Sequence, residues 1–183
     1  MPTSCISPAH APRSTQNHVT MGAALINNSN ALAHVLKLES LKALQTVIDN
    51  AKASIAAGKD VVTSQRVHDT AVGRYWELSA AKHDAGADVD RALWEALYAY
   101  EYLKSQDKGR SSRATYLRRK IAQTDIVTAV SASVLKGGRT TGLQALHDMD
   151  RLDVSFEAVV IKHASAFAPA VVEAAKKTLA DFS

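Results

Sequence analysis

The stretch from Asp88 to Leu103 reads DVDRALWEALYAYEYL and indicates the fold class of the chain. Its apolar and aromatic side chains recur three and four residues apart, which is the period of an α-helix and not that of a strand. They lie on nearly every side of such a helix, so most of its surface must be buried. The sequence therefore predicts a central helix that begins after an N-cap at Asp88, with other helices packed around it.

Helical spacing continues on both sides of this stretch. Before it, one apolar stripe predicts a single helix that runs from an Asn30 cap to Ala57. No segment favours a strand, so we expect an all-α fold, an irregular helical bundle of about six or seven helices. The starts predicted for the later helices are Thr124 or Asp125, Thr140 or Thr141, Asp153, and Pro169 in a first turn.

The composition predicts two regions of different character. Residues 1–28 contain several prolines and many polar side chains, and they offer little surface to bury, so we expect a disordered N-terminal arm. Residues 29–183 are long enough to bury a core and are predicted to form a single helical domain. Within it, long helices are expected over 29–107 and short helices over 108–183.

Cysteine content and hydropathy indicate a compartment. Cys5 is the single cysteine, so the chain cannot form an internal disulfide, and a reducing compartment fits that usage. No apolar run approaches the roughly 18 to 20 residues of a membrane span. The first residues lack the basic start and apolar run of a signal peptide. We therefore expect a cytoplasmic protein without a membrane partner.

The positive charge of the chain is concentrated in residues 104–120, KSQDKGRSSRATYLRRK. This segment has seven of the 22 basic residues and one of the 18 acidic residues, which leaves 15 basic and 17 acidic residues elsewhere. A local excess of this kind indicates an anionic partner, and phosphate contacts predict nucleic-acid binding, with the Tyr116 ring available to stack on a base. The predicted contact residues are Lys108, Arg110, Arg113, Tyr116, Arg118, Arg119, Lys120 and Arg139.

Another explanation of the same segment is structural. Its arginines would then pair with acidic side chains of neighbouring helices, and the protein would be a helical protein–protein interaction module, with an acidic partner or a second copy of itself. A helix-turn-helix made of residues 124–135 and 141–149 is not favoured, because the connection is longer than the usual turn of three or four residues. The sequence leaves the choice between DNA and RNA open.

The motifs of common enzymes and metal sites are missing from the sequence. It has no glycine-rich phosphate loop followed by Lys and Ser or Thr, no nucleophile elbow and no metalloprotease histidine pair. Asp84, Asp88, Asp90 and Glu95 resemble calcium-loop spacing, but Val89 occupies the position that requires glycine. We therefore predict no catalytic activity, no cofactor and no metal.

The second half of the chain resembles a family. The segments GRSSRATYLRRKI, TDIVTAV and TTGLQALHDMDRLDVSFEAVVIKHASAFAPAVVEAAKK follow one another between Lys108 and Phe182. This order is similar to the C-terminal helical region of uncharacterised proteins of plant-associated, rhizobial-type alphaproteobacteria. The resemblance implies a helical fold unit and a bacterial source, and it implies no activity.

Overall fold

The computed structural model describes residues 29–83, 85–108, 112–138 and 140–182. The regular secondary structure of these residues is entirely helical. The predicted all-α bundle is thereby confirmed, and the predicted arm at 1–28 lies outside the described residues. The described part contains nine α-helices, so the prediction of six or seven was too low. They are α1 (29–36), α2 (Leu41–Ala56), α3 (Val61–Ala80), α4 (Asp88–Lys108), α5 (Thr115–Gln123), α6 (Ile126–Val134), α7 (Thr141–Asp148), α8 (Phe156–Lys162) and α9 (Pro169–Ala180).

One extra helix comes from a break at residues 37–40. The prediction of a single helix from Asn30 to Ala57 was wrong, because Ser40 adopts an extended backbone and begins a new helix. Its hydroxyl accepts a hydrogen bond from the Ala43 N–H at 3.4 Å, which satisfies one of the free donors at the start of α2. The apolar stripe of α2 is buried, as the spacing indicates, at Leu44, Ile48 and Ala51.

A similar difference occurs before α8. Asp153 was predicted to begin this helix, but it lies in a short 3-10 helix, Leu152–Val154, and its carboxylate binds the Arg151 guanidinium. Ser155 is the N-cap instead, and its hydroxyl accepts from the Ala158 N–H at 3.1 Å. The helix therefore begins two residues later than predicted, at a cap of the same chemical kind.

Helix α4 is central, as predicted, because its successive turns contribute to three buried clusters. Leu93 and Ala96 pack with α6, α8 and α9. Ala99 and Leu103 pack with α2 and α3. Between them, Leu97 meets Leu117 of α5 and Ala129 of α6. Helix α4 therefore contributes side chains to all three buried clusters.

The two tryptophans differ in burial. Trp76 of α3 is fully buried at 0% exposure, whereas Trp94 of α4 is half-buried. No helix among the described residues combines the length and the apolar content that crossing a membrane requires.

Candidate nucleic-acid interface

The basic segment enters helix α5 without a side-chain cap. Ala114 occupies the N-cap position, and its N–H donates to the Glu101 carboxylate of α4 at 2.8 Å. Leu117 is buried one turn later, beside Leu97 of α4. Helix α4 therefore sets where α5 begins and which of its faces points inward.

Arg118 is held on the inner side of α5. Its Nε and Nη2 donate to the two carboxylate oxygens of Glu101 at 2.7 and 2.8 Å, and Glu101 is only 8% exposed. The guanidinium carbon also lies 5.7 Å from the centre of the Trp94 ring and 5.2 Å from that of Tyr98. The pKa of Arg118 is raised above its ordinary, already high value, and the main cause is the hydrogen bond to Glu101. This is the contact expected of a structural arginine, so its predicted phosphate contact has a competing partner.

The opposite side of α5 carries the exposed charge. Arg119 and Lys120 follow Tyr116 by three and four residues; Arg119 is exposed, Lys120 is half-buried, and the Tyr116 side chain is 68% exposed. Lys136, just beyond α6, places its Nζ 5.3 Å from the centre of the Tyr116 ring. We call the set of Arg113, Tyr116, Arg119, Lys120 and Lys136 the basic face.

Four of the eight predicted contact residues belong to the basic face, three of them in α5 and one, Arg113, just before that helix. They are Arg113, Tyr116, Arg119 and Lys120, while Arg118 turns toward Glu101. Arg110, Arg139 and the side chain of Lys108 lie outside the described part of the chain. Lys136 was not predicted, because it follows a helix whose sequence gives no indication of a basic site.

A cleft of about 230 Å³ opens beside the basic face. It lies between α4, α5, α6, α7 and the start of α8, and its walls include small residues such as Ala96, Ala129 and Ala132. Tyr116 and Lys120 of the basic face line it, and Lys104 and Lys136 contribute two further cations. The exposed aromatic ring therefore stands at a cavity with three lysines.

One wall of the cleft depends on a glycine. A Cβ atom at Gly142 would lie 3.0 Å from Cδ2 and 3.1 Å from Cε2 of Tyr100, closer than side chains pack. Tyr100 is held from two other directions, since its ring centre lies 6.4 Å from that of Phe156 and 5.8 Å from the Lys104 Nζ. The absence of a side chain at residue 142 therefore lets α7 pack against this ring.

Glu157 is the acidic residue among the described residues that line the cleft. Its side chain is half-buried, and burial raises the pKa of its carboxyl group. Gly137 and Gly138 also line this cleft, with φ of 60° and 99°. The cleft thus combines aromatic, apolar and cationic surface with one carboxyl group whose pKa is raised by burial.

A second cluster lies behind Arg118. His83 stacks on Trp94 with ring centres 3.5 Å apart and planes 4° from parallel, and its Nε2 is 3.0 Å from the Tyr98 hydroxyl. Burial, and secondly the charge of Arg118, lowers the pKa of His83. The cluster supports the position of Arg118 and is separate from the exposed charge.

The described residues contain no group of three or more His, Cys, Asp or Glu side chains that could hold a metal ion. Comparison of the chain with protein-family models, curated proteins and solved structures found no match.

Proposed function

We propose that the protein binds nucleic acid through the basic face. Arg113, Arg119, Lys120 and Lys136 contact phosphates, and Tyr116 stacks on a base. The observation that carries this proposal is the 68% exposure of the Tyr116 ring among cations. An aromatic ring beside Lys and Arg suits single-stranded nucleic acid. The positive charges attract its phosphate backbone, and the ring can stack on any of its bases.

The ion pair of Arg118 with Glu101 supports different roles for the arginines within the basic segment. Its charge is neutralised by Glu101, so it holds α5 in place and leaves phosphate binding to the outer residues. Within the described residues, none of the four proposed phosphate contacts forms an ion pair with an acidic side chain. Their charge therefore remains available to a polyanion.

The salt dependence of binding tests the proposal. Each phosphate contact contributes about −0.9 to the slope of log affinity against log salt for duplex and about −0.7 for a single strand. Four contacts predict slopes of about −3.6 and about −2.8 for random-sequence strands, measured by fluorescence anisotropy.

Neighbouring arginines give a matched pair of variants. Arg119→Gln should flatten the slope by about one contact and leave the melting temperature unchanged, whereas Arg118→Gln should lower the melting temperature and leave the slope unchanged. Absence of binding at low salt would overturn the proposal and favour an acidic protein partner. Equal flattening by both variants would show that Arg118 also contacts phosphate.

A further inference from the structure

We infer that the cleft binds one nucleotide unit, with the base inside and the phosphate at the three lysines of its rim. The inference rests on the proposed function, because Tyr116 and Lys120 belong both to the basic face and to the cleft. It goes further by naming a partner: a nucleic acid with unpaired bases, or a free nucleotide, in place of any polyanion.

The dimensions of the cleft suit a flat ring. An apolar cavity of about 150 Å³ is large enough to hold benzene, and the cleft, at about 230 Å³, is larger. Ala96, Ala129 and Ala132 leave the space open, while Tyr100 and Phe156 supply aromatic wall. A base in this position would exchange water for aromatic and apolar contacts.

The carboxyl group of Glu157 favours a ligand that can form hydrogen bonds, such as a nucleobase, over a plain hydrocarbon. An alkyl chain in the cleft would cover this half-buried carboxyl group without offering it a hydrogen bond, which is costly. A nucleobase carries N–H groups or ring nitrogens along one edge and can satisfy the carboxyl group in either protonation state. The acidic residue therefore favours a heteroaromatic ligand.

Three lysines of the cleft would bind the phosphate of the nucleotide. Lys104 comes from α4, Lys120 from α5 and Lys136 from the turn after α6, so three separate elements contribute a lysine to the lining of one cleft. Like charges around one cleft repel each other, and a phosphate there would relieve that repulsion. Glu157 is the acidic residue among the described residues of the lining, and burial raises the pKa of its carboxyl group.

The test compares strands of equal charge with and without bases. A labelled single strand should bind about tenfold more tightly than the same backbone carrying abasic positions, because stacking of a base is lost. Ala132→Phe, which fills the cleft from a half-buried position, should remove this difference and leave the salt slope unchanged. Ala122→Phe is the matched control on the exposed end of α5, and Ser133→Phe is a second, exposed cleft variant if Ala132→Phe does not fold.

A direct titration with AMP and GMP shows whether the cleft binds a free nucleotide or only a nucleotide within a nucleic acid. If AMP or GMP binds saturably and this binding is lost in Ala132→Phe, the result supports a nucleotide site. This holds even where normal and abasic strands bind equally well. If strands bind with the expected salt slope but abasic strands bind equally well and AMP and GMP do not bind, the cleft inference is wrong and the basic face stands. If neither strand nor nucleotide binds, both proposals are wrong.

Discussion

The two tryptophan side chains differ because of their neighbours. Trp76 contacts Tyr102 edge to face with ring centres 5.9 Å apart, and the Arg151 guanidinium lies 5.4 Å from its ring centre. Its Nε1 has no hydrogen-bond partner among the described residues, so hydrogen bonding does not fix its position. Trp94 instead covers His83 at the edge of the bundle.

We expect Trp76→Ala to lower the free energy of unfolding by about 3 to 5 kcal/mol, because it leaves a large cavity in a close-packed core. Trp94→Ala should cost clearly less, since that side chain is only half-buried. Chemical denaturation of both variants measures the two losses. Equal losses would contradict the difference in burial.

His83 makes the stability depend on pH. Its pKa is lowered in the folded protein from the ordinary 6.5, so the unfolded chain takes up a proton more readily. The stability contributed by His83 is therefore complete above about pH 6.5 and is lost as the pH falls through that value toward the lower folded pKa. His83→Phe keeps a stacking ring and should lose less stability than the unmodified protein between pH 7.5 and 5.5 in denaturation measurements. An identical pH dependence in both proteins would exclude this role.

At the scale of elements, α5 is fastened to α4 through Glu101. Glu101→Gln should lower the free energy of unfolding by about 3 kcal/mol, toward the lower end of the range for breaking a buried ion pair, because Arg118 is partly exposed. Loss of the pair leaves the guanidinium without its carboxylate while the Ala114 N–H competes for the amide oxygen. Thermal and chemical unfolding measure the effect.

The double variant Glu101→Leu, Arg118→Met is the control for this pair. It removes both charges while keeping similar volume, so we expect it to be more stable than Glu101→Gln. A double variant that is less stable than Glu101→Gln would show that the packing of Arg118 on Trp94 and Tyr98 matters more than its charge.

Helix positions were predictable where local chemistry decides them. Asp125 caps α6, Thr140 caps α7 and Pro169 opens α9, and each start can be read from the residue itself. Residues 37–40 and Ser155 were not predicted, because the break and the cap depend on neighbours in space.

The candidate site was predictable only in part. The run of charge identified Tyr116, Arg119 and Lys120, but the pairing of Arg118 with Glu101 joins residues 17 positions apart. Lys136 and Glu157 reach the cleft only through the packing of α6 and α8. Spacing along the chain carries no information about such contacts.

At the scale of the molecule, α4 connects the buried clusters. Leu93 and Leu103 lie ten residues apart on one helix yet belong to different buried clusters, the first formed with α6, α8 and α9 and the second mainly with α2 and α3. Neither cluster can lose this helix without exposing its own apolar residues to water.

We therefore expect the described helices to unfold in one cooperative transition. Calorimetry should give a measured enthalpy equal to the van't Hoff enthalpy, and the fluorescence and circular dichroism transitions should coincide. This tests the single domain predicted for residues 29–183. Two separate transitions would show that residues 29–107 and 108–183 fold as independent units.

The stack of His83 on Trp94 gives the protein an internal optical signal. The His83 imidazole lies directly against the Trp94 indole, whereas Trp76 is fully buried and shielded from water. The two indoles thus report on different places, and Trp94 alone adjoins the guanidinium that fastens α5. Detachment of that helix should change the light emitted by the protein without any attached dye.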